Sequence, residues 1–296
     1  MLRRGFLALA VSLALGACAT AQSETAPAFA SDRISVVTRG SGPDVILIPG
    51  LSSHRDVWAE TADALDDRYT VHLVQLNGFG GFPAAGNAEG PVAAPVAEEI
   101  ARYITEQGLE RPAVIGHSMG GTMGMMLAAR HPNRVGKLMV VDMIPWMGAM
   151  FGPPGATAES VRPVADQVRA GMLAAPADQT SVAEATIATM IRTESARAQH
   201  VEYSRLSDRA TSANAFHELI VTDLRPELAN ITAPTTVLFV IPPNAPITPE
   251  QYEGYVRISY ANLPSARIEK VEDAWHFIMI DQRERFIRDV ETFLAE

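Results

Sequence analysis

The sequence predicts an α/β fold in which a mostly parallel β-sheet is covered by helices on both faces. Short apolar runs alternate with stretches of helical spacing along most of the chain, which is typical of parallel sheets with connecting helices. The runs are continuous rather than alternating, as in Val45–Ile48, which indicates strands buried on both faces. With 296 residues, 47% of them hydrophobic, the chain can bury one or two domain cores.

Seven strands and three clear helices are expected in chain order. Each strand is a short apolar segment bounded by turn residues: Ile34–Val37, Val45–Ile48, Tyr69–Leu76, Ala113–Ile115, Leu138–Asp142, Thr235–Ile241 and Ala266–Val271. The helices show apolar residues at helical spacing: Pro95–Gln107, Gly121–Arg130 and Arg283–Leu294. Two of these helices, Pro95–Gln107 and Gly121–Arg130, lie between successive strands, as parallel pairing requires.

One long segment interrupts the alternation. Residues 143–230 begin with a Pro/Gly stretch, Gly152–Gly155, and continue with helical patterns and no convincing strand. About ninety residues between two strands is far longer than an ordinary connection. We therefore expect 31–142 and 231–296 to form the core and 143–230 to be a helical cap over the strand ends.

Composition narrows the classes of function. The net charge is −10 and no basic stripe occurs, so nucleic acid is not expected as a partner. The single cysteine, Cys18, lies near the N-terminus, so no internal disulfide and no thiolate metal site are expected. The chemistry predicted below requires no cofactor and no metal.

The first 21 residues have the pattern of an export signal. Arg3 and Arg4 precede an apolar run, Gly5–Ala17, that is too short to span a bilayer as a mature helix. Leu15–Cys18 resembles a bacterial lipobox, which would leave Cys18 as a lipidated N-terminus and the only means of membrane anchoring. Cleavage by the ordinary signal peptidase is the alternative. Either ending predicts export to the bacterial periplasm or cell envelope.

The segment Gly116–Gly121 contains the pattern Gly-x-Ser-x-Gly between a predicted strand and a predicted helix. A serine on such a sharp turn presents its hydroxyl at the top of the sheet, and the glycines allow the helix to approach the strand. Ser118 is therefore the predicted nucleophile. The N–H of Met119 is expected to point to where an oxyanion would form.

The ordered motifs resemble the α/β-hydrolase superfamily over Ser35–Glu296. They are Ile48–Leu51, Gly78–Gly80, the serine motif, the inserted segment and a late histidine, His276. The resemblance is to the cap-bearing serine esterase branch. It implies that His276 is the general base and that the N–H of Leu51 is the second oxyanion donor. It also implies an α/β-hydrolase fold, with the helical cap inserted after the strand that ends at Asp142.

The position of the acid is open. The superfamily usually keeps an aspartate after the strand Thr235–Ile241, but this chain has Pro242-Pro243-Asn244 there. Some branches move the acid to the end of the strand after the nucleophile, where this chain has Asp142. We expect Asp142 to be the acid, with Asn244 as a supporting residue or a substitute. An N-cap is the structural alternative for Asp142.

Apolar side chains near the strand ends suggest the substrate class. Trp58, Phe79 and Trp146 could line a pocket for an apolar acyl group, although such residues also occur as plain core. The predicted function is hydrolysis of a small-molecule carboxylic ester, with a small or medium apolar acyl group, through an acyl-enzyme. Perhydrolysis or acyl transfer on the same triad, and a ligand-binding homologue with slow or no turnover, are the alternatives.

Overall fold

The computed structural model describes residues 29–176 and 180–296. Its centre is a seven-stranded sheet in the order β1-β3-β2-β4-β5-β6-β7. The strands are β1 (Ile34–Gly40), β2 (Asp44–Ile48), β3 (Thr70–Leu76), β4 (Ala113–His117), β5 (Lys137–Val141), β6 (Thr235–Phe239) and β7 (Arg267–Lys270). Each predicted strand is confirmed, with its ends shifted by a few residues.

Ten α-helices occur in the described part of the chain. They are α1 (Ala59–Leu65), α2 (Ala93–Glu106), α3 (Met119–Arg130), α4 (Ala158–Ala174), α5 (Thr180–Met190), α6 (Glu194–Arg205), α7 (Arg209–Val221), α8 (Pro249–Ser259), α9 (Ile278–Asp281) and α10 (Arg283–Ala295). Short 3-10 helices precede α1, α2, α4 and β6. The three helices predicted from apolar spacing correspond to α2, α3 and α10.

The sheet is parallel except at β1, which pairs antiparallel with β3. β4 lies between β2 and β5, and β5 pairs with β6. The carboxyl ends of β2, β4, β5 and β6 therefore meet at one edge of the sheet. In doubly wound sheets this edge is where ligands bind.

The core occupies both faces of the sheet, as the continuous apolar runs predict. Along β2, Ile46 and Ile48 belong to one buried cluster, whereas Val45 and Leu47 belong to the other. Successive side chains of a strand point to opposite faces, so a strand buried on both faces can be apolar at consecutive positions.

Three core helices lacked a sequence prediction: α1, α8 and the four-residue α9. α1 has only 7 residues, too few for a clear helical period. α8 carries a local signal that could have revealed it: Thr248 caps the helix, Pro249 is its first residue, and Gln251 completes a capping box. These residues follow the loop that contains Asn244.

Between β5 and β6 the described residues form helices α4 to α7 and two 3-10 helices, with no strand. α7 contacts the core through Glu218, whose buried carboxylate accepts the backbone N–H groups of Val92, Ala93 and Ala94 at 2.6, 2.6 and 2.8 Å. These N–H groups belong to the start of α2, where unpaired donors and the helix dipole favour a negative charge.

No helix in the described ranges is long and apolar enough to cross a membrane. Residues 1–28, with the predicted leader and Cys18, lie outside the described part of the chain.

Candidate active site

Ser118 lies on a strained turn between β4 and α3, with φ +54° and ψ −122°. A Cβ at Gly116 would lie 2.1 Å from the Gly120 carbonyl oxygen, and a Cβ at Gly120 would lie 2.2 Å from the Ile48 carbonyl oxygen. Both distances are far shorter than any real carbon–oxygen contact, so only glycine fits at either position. The two glycines of the motif therefore allow the tight turn that presents Ser118.

Two backbone N–H groups flank Ser118 without acceptors. Among the described residues, neither the Leu51 N–H nor the Met119 N–H donates a hydrogen bond. Met119 is the first residue of α3, where N–H groups have no intrahelical partner. The Leu51 loop is close to the serine, because a Cβ at Gly50 would lie 3.1 Å from Ser118 Cβ. Both predicted oxyanion donors are thus without an acceptor in the described part of the chain, and Gly50, next to Leu51, packs against the serine.

His276 and Asp142 form a short hydrogen bond. His276 Nδ1 lies 2.6 Å from Asp142 Oδ2. A carboxylate can only accept, so Nδ1 carries the hydrogen and Nε2 is left as a free acceptor. The other carboxylate oxygen of Asp142 accepts the Val240 N–H at 3.0 Å. The imidazole is therefore held in the tautomer that a general base for a serine requires.

The backbone brings Ser118 and Asp142 to adjacent strand ends. Ser118 N–H donates to the Val141 carbonyl at 2.9 Å, and Asp142 N–H donates to the Leu238 carbonyl at 2.7 Å. Asp142 has φ +50°, so the chain turns sharply as it leaves β5. Ser118 Oγ makes no hydrogen bond to His276 within the described ranges; such contacts often tighten only when substrate is bound.

His117 connects the serine turn to the histidine loop, a contact that sequence reasoning missed. Its Nε2–H donates to the His276 carbonyl at 2.9 Å, and its ring centroid lies 4.6 Å from those of His276 and Phe277. Complete burial lowers the pKa of His117 well below its ordinary value, so the ring stays neutral. Adjacency to Ser118 was the available signal, but the direction of the ring required the folded structure.

A second buried histidine approaches from the helices between β5 and β6. His200 on α6 lies 5.1 Å from Phe277 and 5.6 Å from Tyr203, measured between ring centroids. Burial lowers the pKa of His200 to about 4. Its neutral ring adds no positive charge near His276.

The structure does not bring Asn244 to the His276–Asp142 pair. The Asn244 side chain is exposed on the loop after β6 and makes no hydrogen bond with any described residue. β6 ends at Phe239, and the Pro242-Pro243 segment leads the chain outward from the sheet edge. In this conformation, Asn244 makes no contact with the described residues through which it could support Asp142 or replace it.

The three predicted pocket residues lie in the core. Trp58 and Phe79 have no exposed surface and Trp146 has 2%. Trp58 stacks on Phe286 at 6.0 Å, and Trp146 Nε1–H donates to the Ile220 carbonyl at 2.8 Å. In this conformation they offer no exposed surface for a substrate to contact.

The described residues include no group of three or more His, Cys, Asp or Glu side chains that could hold a metal ion. The chemistry offered by the geometry is that of a half-buried serine on a strained turn, two N–H groups without acceptors among these residues and an oriented imidazole.

The family model described as "Alpha/beta hydrolase family" matches residues 45–289. The pimeloyl-[acyl-carrier protein] methyl ester esterase of Aeromonas hydrophila is 31% identical over 277 residues, covering 88% of this chain and 99% of that protein. The esterase of the same description from Aliivibrio fischeri (strain MJ11) is 24% identical over 271 residues, covering 88% of this chain and 96% of that protein.

Solved structures show the same fold. The enol-lactonase from Burkholderia xenovorans LB400 matches with a TM-score of 0.70 and 21% identity, covering 89% of this chain and 96% of that one. A hydrolase from Pseudomonas aeruginosa PA01 matches with a TM-score of 0.73 and 21% identity, covering 89% of this chain and 94% of that one. With the serine turn, the strand order and the family match together, the chain belongs to the alpha/beta hydrolase family.

Proposed function

We propose that this protein is a serine hydrolase that cleaves carboxylic esters through an acyl-enzyme. The observation that carries the proposal is the 2.6 Å hydrogen bond between His276 and Asp142, beside the strand end that presents Ser118. Its similarity to methyl ester esterases over nearly their whole length supports ester hydrolysis as the reaction.

In the proposed mechanism, Ser118 Oγ attacks the ester carbonyl carbon while His276 Nε2 takes the hydroxyl proton. Asp142 stabilises the imidazolium that forms. The carbonyl oxygen becomes an oxyanion and accepts the N–H groups of Leu51 and Met119, which have no other partner among the described residues. Collapse of this intermediate breaks the bond to the alcohol, which leaves with the proton from His276.

The second half of the reaction repeats these roles with water. His276 Nε2 takes a proton from the water that attacks the acyl-enzyme, and the same two N–H groups hold the second oxyanion. The bond to Ser118 then breaks, the serine regains its proton from His276, and the acid is released. Each step uses groups of this chain and a water molecule.

The proposed substrate is an ester with a small or medium apolar acyl group. The relatives named above act on a methyl ester of a pimeloyl group, which supports an acyl chain of moderate length. The absence of a carboxylate just after β6 is what favours the alternative of a ligand-binding homologue with slow or no turnover. The contact between Asp142 and His276 supports turnover instead.

Fluorophosphonate labelling of the purified protein tests the nucleophile, with Ser118→Ala as the control. We expect rapid labelling of the wild type and none of the variant, together with turnover of p-nitrophenyl esters that depends on acyl length. Absence of both labelling and turnover in folded wild-type protein would overturn the proposal.

We also propose that residues 1–21 direct export and that Cys18 is the site of lipidation. The charged start, the short apolar run and the lipobox-like Leu15–Cys18 support this proposal. Mass spectrometry of the mature N-terminus tests it: a diacylglycerol-modified Cys18 is expected, and an intact Met1 would contradict export.

A further inference from the structure

The loop that carries the Leu51 N–H is tied to a helix far away in sequence. Ser52 Oγ lies 2.9 Å from Ser212 Oγ, across 160 residues. Ser212 is on α7, in the segment between β5 and β6, and only 7% of it is exposed. Ser52 is half-buried, so water has only limited access to the two hydroxyls.

Ser52 has an unfavourable backbone conformation. Its φ is +52°, in the left-handed region that residues with a side chain seldom adopt. Such a conformation persists only where the surroundings hold it. Within the turn itself, the described residues supply only one weak support, the 3.4 Å contact from Ser53 N–H to the Gly50 carbonyl.

The far end of the same loop is fixed by the core. Arg55 N–H donates to Gln75 Oε1 at 2.7 Å, and Gln75 Nε2–H donates to the Phe79 carbonyl at 3.2 Å. Gln75 is on β3 and completely buried. Gln75 Nε2–H also approaches the Ser53 carbonyl at 3.4 Å. The loop is thus held by the sheet at Ser53 and Arg55, and by α7 at Ser52. Leu51 lies on the α7 side of this arrangement, next to Ser52.

We propose that Ser212 is a positioning residue for the oxyanion hole, acting through Ser52 on the Leu51 N–H. The inference rests on the proposed function, since an oxyanion hole has a role only if an ester is cleaved. The helices between β5 and β6 thereby help to stabilise the transition state, in addition to any contact that they make with substrate.

The expected effect is on the chemical step. An oxyanion donor acts on charge that develops in the transition state, so a displaced donor lowers kcat and leaves substrate binding largely unchanged. Ser212→Ala removes the partner of Ser52 and frees the Leu51 turn to relax. Complete loss of one donor costs about 100-fold or more in kcat, so displacement of one that remains is expected to cost about tenfold.

The test compares kcat and KM for p-nitrophenyl butyrate in Ser212→Ala, Ser52→Ala and the double variant. Because one hydrogen bond is broken in all three, we expect each to lose about tenfold in kcat, with KM within about twofold. Binding of a boronic acid that forms a tetrahedral adduct on Ser118 should weaken by the same factor. If Ser212→Ala is poorly folded, Ser52→Ala tests the same hydrogen bond independently.

Ser207→Ala is the matched control. Ser207 lies just before α7 and accepts the Gly80 N–H at 2.9 Å, so it also joins this helical segment to the core, but at a different loop. We expect its kcat to equal that of the wild type. Equal losses in Ser207→Ala and Ser212→Ala, additive losses in the double variant, or an effect on KM alone would overturn the inference.

The outcomes separate this inference from the proposed function. Wild-type turnover that is unaffected by Ser212→Ala would overturn the positioning role and leave ester hydrolysis intact. Failure of wild-type protein both to be labelled at Ser118 and to hydrolyse esters would overturn the two together.

Discussion

The carboxyl edge of the sheet and the helices between β5 and β6 meet at the same site but are held there differently. At the sheet edge, Ser118 and Asp142 are placed by their own backbones, in left-handed turns at the ends of neighbouring strands. Besides a backbone hydrogen bond from the N-cap of α7 to the loop after β3, the helical segment reaches the core through single side chains such as Ser212, Ser207 and Glu218. Each of these side-chain contacts can be removed by one substitution.

Substitutions in these two regions should therefore affect different properties of the protein. Substitutions at the sheet edge should act mainly on the rate of reaction, because they change the groups that touch the reacting atoms. Substitutions in the helical segment should act mainly on stability, because the contacts there bury polar groups against the core. Ser212 is the proposed exception, since its contact lies next to an oxyanion donor.

Asp142→Asn is expected to have the largest effect. An asparagine can hold His276 only in the wrong tautomer or lose the hydrogen bond, so kcat/KM for p-nitrophenyl butyrate should fall about 10⁴-fold. Steady-state kinetics measure this loss. Asn244→Ala is the control and should remain within about twofold of the wild type, because Asn244 is exposed.

The double variant Asp142→Asn/Asn244→Asp tests whether a carboxylate after β6 can replace Asp142. We expect no recovery, since the loop after β6 does not bring residue 244 to His276. A recovery of tenfold or more would show that this loop can reach the histidine and would contradict the placement described above.

A pH dependence of stability is expected from His200 in the helical segment. The unfolded histidine takes up a proton below its ordinary pKa of 6.5, whereas the folded one does so only near pH 4. Protonation therefore favours unfolding, and stability falls as the pH drops through this window, by up to about 3 kcal/mol at pH 4.

Urea unfolding at a series of pH values measures this effect. His200→Phe should make the decline between pH 6.5 and pH 4 shallower than in the wild type, because the buried imidazole is removed. An identical decline in His200→Phe and wild type would show that the buried imidazole is not its source.

Glu218→Gln should destabilise the fold by about 2 kcal/mol, because an amide cannot accept all three N–H groups at the start of α2. Glu227→Gln is the control. Glu227 forms an exposed ion pair with Arg130, so its loss should cost less than about 1 kcal/mol. Denaturant unfolding compares the two, and similar losses would contradict a special role for the Glu218 contact.

His117→Phe should have the smallest effect, a loss of about tenfold in kcat with little change in KM. It removes the N–H that holds the His276 carbonyl while keeping an aromatic ring in the buried space. His117→Gln, whose amide can donate, should retain more of the rate. Steady-state kinetics that show equal losses in both variants would argue against the hydrogen bond as the cause.

Much of the fold could be predicted from the sequence, because strand runs and helix periods are local. The seven strands, the helices α2, α3 and α10, and the serine turn all follow from residues close together in the chain. α1 was too short to show a period, and α8 depended on a capping box that is easily overlooked. Such short sequence patterns influence helix formation less than tertiary packing does.

By itself, the sequence determined the sheet, the serine turn and a short set of candidate site residues, since spacing and turn chemistry act within a few residues. The tertiary structure decided which candidates meet. Asp142 reaches His276 across 134 residues, and Ser212 reaches Ser52 across 160. Asn244 and Trp58 were also candidates from sequence, but one lies on an exposed loop and the other inside the core. Such distances depend on how strands pair and how helices pack, which no local pattern encodes.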